Sequence, residues 1–223
     1  MLPLYDTISS RRTPVMTWLL IGLNAAAFYY ELRLGPQGVG RLFSTWGLIP
    51  ARLLADPASS WMTVFTSMFL HGGWLHILSN MWVLFIFGDN VEDRLGHGRY
   101  LVFYLVSGVA AALLQSLFTA GSSGPVIGAS GAIAGVLGAY LLFFPRARIV
   151  TLVFIFVFIT TIEIPAVLFL GVWFILQLFS GAVALGEGVS SGVAWWAHIG
   201  GFAFGMAATL IFGVRRARRE RWQ

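Results

Sequence analysis

The sequence predicts an all-α polytopic membrane protein whose six transmembrane helices form one bundle, and three observations lead to that prediction. The first is composition: 58% of the 223 residues are hydrophobic and only 10% are charged, whereas soluble domains carry roughly 25% charged residues. The second is length, because several apolar runs reach the ~20 residues that a helix needs to cross ~30 Å of hydrocarbon. The third is the uneven distribution of arginine between the connections. A backbone exposed to lipid must satisfy its own hydrogen bonds, so each crossing is predicted to be helical.

Six crossings can be placed along the chain. In order, they are 15–33, 72–88, 101–119, 127–144, 163–184 and 194–213. The long connection 34–71 mixes aromatic residues with arginine and is predicted to lie in the membrane interface. The apolar stretch 149–184 is too long for one span and too short for two spans and a turn, and Glu163 and Pro165 interrupt it. We therefore expect 149–161 to rest near the interface as an apolar segment, followed by a single span.

All fourteen basic residues are arginine, and their positions orient the chain. With the N-terminus inside the cell, the six spans leave eleven arginines on the cytoplasmic side and three outside, in agreement with the positive-inside rule. We expect a cytoplasmic N-terminal segment, 1–14, a single domain over 15–213 and a basic cytoplasmic tail, 214–223. The run "RRARRER" in that tail suits anionic lipid headgroups better than nucleic acid.

Polar groups inside a membrane are costly, so each one marks a candidate site. The second span opens with "HGGWLHILSN", which contains His76 and Asn80; the fourth opens with Ser130 and the sixth with His198. These three spans all run from outside to inside, which places Ser130 and His198 about 5–10 Å below the outer edge of the apolar layer and Asn80 about 12 Å deep. The shared depth predicts that the four side chains belong to one site.

The chemistry of such a site follows from the residue types. A serine hydroxyl such as Ser130 becomes a nucleophile when a base removes its proton, and His198 is the candidate base. The Asn80 amide is suited to stabilise an oxyanion, and His76, one turn earlier on the same face, is a second candidate donor. Since no carboxylate lies at the same depth, we expect a Ser–His dyad rather than a triad.

Small residues on two spans would allow the serine and the histidine to meet. Gly131 and Gly135 form a small-xxx-small face on the fourth span, and Gly201 and Gly205 form another on the sixth. Such faces let helix backbones pack closely in lipid. Proton transfer needs a serine oxygen and an imidazole nitrogen about 2.6–3.2 Å apart, so close packing of these two helices is a condition of the chemistry.

Each of these residues also has a structural interpretation when taken singly. A serine in a helix rich in glycine and alanine often serves packing alone, a histidine near the end of a span binds headgroups or backbone, and an asparagine joins helices. His71, nearest the outer surface, is either part of the site or a surface residue. Neither metal nor cofactor is expected, because the histidines lack an HExxH pair and the chain has no cysteine.

Taken together, "HGGWLHILSN", "GASG" and "AHIGGFAFG" resemble the rhomboid family of intramembrane serine proteases, and "FGDNVEDRLGHGRY" resembles the family's loop after the second span. The resemblance extends from about Trp46 to Gly205. It implies a six-span bundle with Ser130 as nucleophile and His198 as general base. It further implies an oxyanion hole to which His76, Asn80 and Gly128, the glycine two residues before the serine, belong.

The resemblance also implies a structural role for Glu92 and Arg94, and the chain departs from the family pattern at two places. Ala134 stands one turn after the serine, where some members have an aromatic residue that supports the histidine. The outer loop reads "WGLIPARLL" and lacks the Trp–Arg pair of some members. These two departures are expected to affect substrate preference and the packing that supports the histidine ring.

The expected function is therefore that of a serine endopeptidase, a hydrolase of a prokaryotic plasma membrane with both termini in the cytoplasm. It would cleave single-span membrane proteins near the outer membrane boundary, with the bilayer as its other partner. Two alternatives remain at this point. One is a rhomboid-like protein that binds membrane clients without cutting them, and the other is a small transporter, which would predict inverted repeats.

Overall fold

The computed structural model describes residues 2–155, 158–187 and 193–213. Its helices are α1 Val15–Arg33, α2 Gly35–Trp46, α3 Pro50–Ala55, α4 Pro57–Ser60, α5 Thr63–Thr66, α6 Trp74–Leu95, α7 His97–Phe118, α8 Ser130–Phe143, α9 Ala166–Glu187 and α10 Trp195–Ala208. A 3₁₀ turn, Ser67–Phe69, precedes α6, and a π-helical turn, Thr209–Gly213, follows α10. The strands are β1 Leu2–Asp6, β2 Arg148–Ile155 and β3 Phe158–Pro165.

Six of these helices occupy the places predicted for spans, but they differ in length. By length and composition, α1, α7 and α9 can each cross a membrane. Helix α6 passes the same test together with Thr63–Phe69, from which it is bent by 95°. Helices α8 and α10 have 14 residues each, which corresponds to only about 21 Å. Among the described residues, three or four helices therefore meet the criterion, and the count of six stays a prediction.

The expectation of an all-α chain is wrong at one place. In the segment predicted to rest near the interface, 149–161, the described residues belong to two antiparallel strands, β2 and β3, and β1 pairs with the other edge of β2 to give a sheet of order β1-β2-β3. Both β2 and β3 are rich in β-branched and aromatic residues, which favour extended backbone. Pro165 ends β3, and α9 begins at the next residue rather than at 163.

Helix α8 lies at the centre of the bundle, because its ten consecutive residues from Gly131 to Tyr140 are all buried. It meets α10 through the predicted glycine faces. A Cβ atom on Gly201 would lie 1.9 Å from the Gly131 carbonyl oxygen, and one on Gly205 would lie 2.0 Å from the Gly135 oxygen. Only hydrogen fits at these positions, so the two backbones touch and the first turns of α8 and α10 are brought together.

The carboxylate of Glu92 joins α6 to the N-terminus of α1. It accepts hydrogen bonds from the backbone N–H groups of Met16 (2.8 Å) and Thr17 (2.7 Å) and from the Thr17 hydroxyl (2.7 Å). Its other close partner is His97 Nδ1, at 2.5 Å. A negative charge at a helix N-terminus is stabilised by unpaired N–H groups and by the helix dipole. Glu92 thereby fixes the helix that carries His76 and Asn80 against α1.

Candidate active site

Ser130 is the first residue of α8, and the loop before it is shaped by Gly128. The φ angle of Gly128 is +123°, which side chains rarely adopt, and its N–H donates to the Ser67 carbonyl at 2.9 Å. A Cβ atom at this position would also lie 2.6 Å from His76 Nε2. Glycine is thus required twice, once for the backbone angle and once for the close approach of the imidazole.

The structure brings Ser130 and His198 together, although 68 residues separate them in the sequence. His198 lies in the first turn of α10, and its Nε2 is 2.8 Å from Ser130 Oγ. This distance is within the range for direct proton transfer. The contact depends on the glycine interface described above, because a wider spacing of α8 and α10 would separate the two atoms.

A third member of this arrangement, Gln177 of α9, was not among the residues predicted from the sequence. Its amide oxygen Oε1 lies 2.7 Å from His198 Nδ1, and its side chain is buried. Because an amide oxygen only accepts, Nδ1 carries the ring proton and the lone pair of Nε2 faces the Ser130 hydroxyl. The available signal was a carboxamide within a largely apolar helix, which is a costly placement in a membrane.

Two tryptophan rings lie close to the imidazole of His198. The ring centroid of Trp173, one turn before Gln177 on α9, lies 5.9 Å from that of His198, and the ring of Trp195 lies 6.3 Å from it. The two indoles belong to α9 and α10, whereas Ala134 lies on α8.

His76 and Asn80 lie one turn apart on α6 and approach the same loop. The Gly72 N–H donates to His76 Nδ1 at 3.3 Å, so the proton of the neutral ring is on Nε2. The Asn80 amide nitrogen is buried with no hydrogen-bond partner among the described residues. From the place where a Gly128 Cβ would stand, His76 Nε2 is 2.6 Å away and Asn80 Nδ2 is 3.7 Å away. Two donors thus converge beside the loop that leads into Ser130.

His71 is not the surface residue that its sequence position allowed, because only 1% of it is exposed. Its backbone N–H donates to Glu31 Oε1 at 3.0 Å, which ties the end of α1 to the loop before α6. Its ring centroid lies 5.0 Å from that of His76. His71 therefore packs behind the His76 imidazole.

A cavity of about 30 Å³ adjoins Ser130. Small and apolar residues of several elements form most of its wall, including Met68, Gly108, Ala111 and Ala197. A water molecule requires about 10–15 Å³ of such space, so the cavity has room for one or two. Within residues 2–155, 158–187 and 193–213, no three His, Asp or Glu side chains cluster as a metal site would require.

Residues 58–215 match the model of the rhomboid domain, and this stretch is well over half of the chain. The chain belongs to the rhomboid family. The rhomboid domain so defined contains the site residues from Ser67 to His198, while β1 and helices α1 to α3, and with them Glu31, precede it.

Similar rhomboid proteins come from plants, fungi and bacteria. RHOMBOID-like protein 1 of Arabidopsis thaliana is 31% identical over 182 residues, which are 82% of this chain and 41% of the plant protein. Rhomboid protein 1, mitochondrial, of Saccharomyces cerevisiae is 30% identical over 62% of this chain and 39% of its own length. Rhomboid protease GluP of Bacillus subtilis is 34% identical over 57% of this chain and 24% of its own length. The chain thus spans less than half the length of these relatives.

Proposed function

We propose that this rhomboid-family chain is an intramembrane serine endopeptidase that hydrolyses a peptide bond of single-span membrane proteins near the outer membrane boundary. The hydrogen bond of 2.8 Å between Ser130 Oγ and His198 Nε2 is the observation that supports this most directly. The name of the Bacillus subtilis relative, a rhomboid protease, agrees with it.

In the first half of the reaction, Ser130 Oγ attacks the carbonyl carbon of the substrate while His198 Nε2 takes its proton. The negative charge that develops on the carbonyl oxygen is stabilised by Nε2–H of His76 and the amide of Asn80. The first-turn N–H groups of α8 and the positive end of its dipole add to this stabilisation. The imidazolium then gives its proton to the amine that leaves.

In the second half, water attacks the acyl-enzyme and the same groups act in the reverse roles. The cavity beside Ser130 is a place from which this water can be supplied. The substrate must unwind locally before the reaction, because a helical backbone has its carbonyls hydrogen-bonded and shielded. Glycine and other residues of low helix propensity near the cleaved bond should therefore favour cleavage.

Access for the substrate is proposed to involve α9 or the loop 185–193. Helix α9 is the least buried of the three long apolar helices, with 22% of its most apolar window inside the protein. Residues 188–192 of the loop lie outside the described residues. Tethering α9 to α6 should reduce cleavage, and unchanged turnover of the tethered protein would contradict this gate.

The proposed location is the plasma membrane of a prokaryote, with both termini in the cytoplasm. The distribution of arginine along the chain supports that orientation. The predicted basic tail, 214–223, lies outside the described residues. Cysteine-accessibility labelling of single-cysteine variants on the two sides of inverted and right-side-out vesicles would test the orientation.

The deciding experiment is cleavage of a single-span substrate in liposomes, together with labelling by a fluorophosphonate probe. Wild type should cut the substrate and bind the probe, while Ser130→Ala should do neither and His198→Ala should not cut. Cleavage that survives either substitution would refute the proposed pair. A wild-type protein that captures the substrate in the membrane but never cuts it would instead point to client binding.

A further inference from the structure

Helix α9 contacts the imidazole of His198 with two side chains on one face. Gln177 Oε1 is 2.7 Å from Nδ1, and the ring of Trp173, four residues earlier, lies beside the imidazole. Most of α9 is exposed, and its buried residues form a narrow stripe that faces the bundle: Ala166, Leu170, Gln177 and Gly181. The side chain beside His198 Nδ1 thus belongs to a helix that contacts the rest of the protein through one face, which also includes partly buried aromatic residues such as Phe174.

We infer that Gln177 is a positioning residue that sets the tautomer and orientation of His198, so that the base is competent only while α9 is docked against α10. This inference rests on the proposed protease function, in which His198 is the base. It assigns to a neutral amide the orienting task that an aspartate performs in a Ser–His–Asp triad.

The tautomer is the reason why this contact matters. A neutral imidazole carries its proton on either nitrogen, and a proton on Nε2 would leave no lone pair to accept the proton of Ser130 Oγ. Acceptance by Gln177 Oε1 keeps the proton on Nδ1. When Nε2 takes up the serine proton, Nδ1–H stays in place and continues to donate to the same oxygen. The amide supplies a dipole but no full charge, so it orients the base without a second ion in the membrane.

A purely structural role would look different. A carboxamide that only joined α9 to α10 would affect folding when replaced, but not the pH dependence of the reaction or the protonation of the imidazole nitrogens. The two roles are therefore separated by measuring kcat, KM, the pH profile and the tautomer in the same set of variants.

The first experiment compares Gln177→Leu and Gln177→Glu with Leu176→Ala, a truncation of the neighbouring residue on the exposed face of α9. Gln177→Leu should lower kcat about 10- to 100-fold, equivalent to about 1.4–2.7 kcal/mol of barrier, with little change in KM. Gln177→Glu should keep most of the kcat and move the acid limb of the kcat/KM profile to higher pH, because a carboxylate favours the imidazolium. Leu176→Ala should behave as wild type. Equal kcat in Gln177→Leu and Leu176→Ala would overturn the inference.

A direct measurement of the tautomer does not depend on activity. ¹⁵N NMR of histidine-labelled protein in the Ser130→Ala background should show His198 with its proton on Nδ1, and Gln177→Leu should give a mixture of both tautomers. An unchanged tautomer in Gln177→Leu would refute the positioning role even if wild type is a protease. If wild type does not cut any substrate, the proposed function fails while the NMR result still decides the role of Gln177.

The dependence on α9 docking is tested by two glycines of that helix. A Cβ on Gly181 would contact Trp195, Trp196 and Ile199 at 3.3–3.5 Å, whereas a Cβ on Gly171 would meet nothing within 4 Å. Gly181→Leu should therefore displace α9 from α10 and lower kcat as much as Gln177→Leu does. Gly171→Leu should leave kcat unchanged. Full activity in Gly181→Leu would show that docking of α9 is not required.

Discussion

At the scale of single residues, the Asn80 amide nitrogen is a buried donor that has no hydrogen-bond partner among the described residues. An unsatisfied buried donor costs about 1–3 kcal/mol. Its presence beside the loop that leads into Ser130 is consistent with a role in binding an oxyanion.

We expect Asn80→Ala to lower kcat by about 100- to 1000-fold, the usual cost of losing one oxyanion donor. KM should change little, because the donor acts in the transition state. The measurement is steady-state cleavage in liposomes. Ser79→Ala is the matched control, since Ser79 is exposed and donates only to the His76 carbonyl of its own helix. Comparable losses in both variants would indicate damage to α6 rather than loss of the donor.

Gly128→Ala should abolish activity for two reasons. An alanine is strained at the φ of +123° that this position adopts, and its Cβ would lie only 2.6 Å from His76 Nε2, so the imidazole would have to move. Gly121→Ala serves as the comparison, since a Cβ there meets nothing within 4 Å and its φ is not positive. Cleavage and fluorophosphonate labelling of Ser130 both report the outcome. An active Gly128→Ala variant would contradict the proposed geometry of the loop.

At the scale of elements, the distance between α8 and α10 is determined by backbone atoms. We expect Gly201→Ala to lower the free energy of unfolding in detergent by about 1–3 kcal/mol, the usual cost of overpacking, and with it the melting temperature. The reason is that the new Cβ would lie 1.9 Å from the Gly131 oxygen. Gly22→Ala in α1, where a Cβ meets nothing, should not destabilise. Equal melting temperatures of the two variants would argue against the tight interface.

The Glu92 carboxylate should be as important to stability as the glycine contact. Glu92→Ala removes the acceptor of three hydrogen bonds at the N-terminus of α1, and hydrogen bonds to charged groups contribute about 1.5–3 kcal/mol each. We expect a large fall in melting temperature. Asp93→Asn, at the adjacent position, should have a small effect, since its side chain makes one exposed contact of 3.3 Å with the Arg11 N–H. If Glu92→Ala lowered the melting temperature only slightly, the capping role of Glu92 would be disproved.

The sequence could predict those elements that leave a strong local pattern, and it could not predict those that depend on contacts between distant residues. The ranges of α1 and of the glycine faces were predictable, because apolar length and small-residue spacing are local features. Gln177 was missed because one neutral amide in an apolar helix resembles an ordinary interhelical contact. The strand pair β2 and β3 was missed because its apolar residues do not alternate regularly with polar ones and because β1, the other partner of β2, lies about 150 residues away in the sequence.

At the scale of the whole molecule, Asp6 connects the sheet to the bundle. Its carboxylate accepts from the Asn90 amide at 2.9 Å and from the Tyr140 hydroxyl. Burial is the main cause that raises the pKa of Asp6 from 3.8 to about 6, and the nearby Asp89 adds to it. Tyr140 lies on α8, so the N-terminal strand is anchored to the same helix that begins with Ser130.

The raised pKa makes stability depend on pH in a defined direction. Because the folded protein binds this proton more tightly than the unfolded chain, the contribution of Asp6 is most favourable below pH 4 and declines as the pH rises from about 4 to about 6. In Asp6→Asn this decline should disappear. Melting temperatures recorded across pH 4–7 should show a difference between variant and wild type that grows up to pH 6 and is then constant. Asp56→Asn changes an exposed carboxyl of lowered pKa, so its melting temperature should differ from that of wild type by the same amount at every pH from 4 to 7. The same constant difference for Asp6→Asn would refute the role assigned to Asp6.

The direct backbone contact of α8 with α10 has one more consequence. Where Gly201 faces Gly131 and Gly205 faces Gly135, backbone meets backbone, so repacking of side chains at these two contacts cannot change the distance between Ser130 and His198. In the proposed protease, adaptation to different substrates would therefore have to come from helices at the edge of the bundle, such as the largely exposed α9, and not from the contact between α8 and α10.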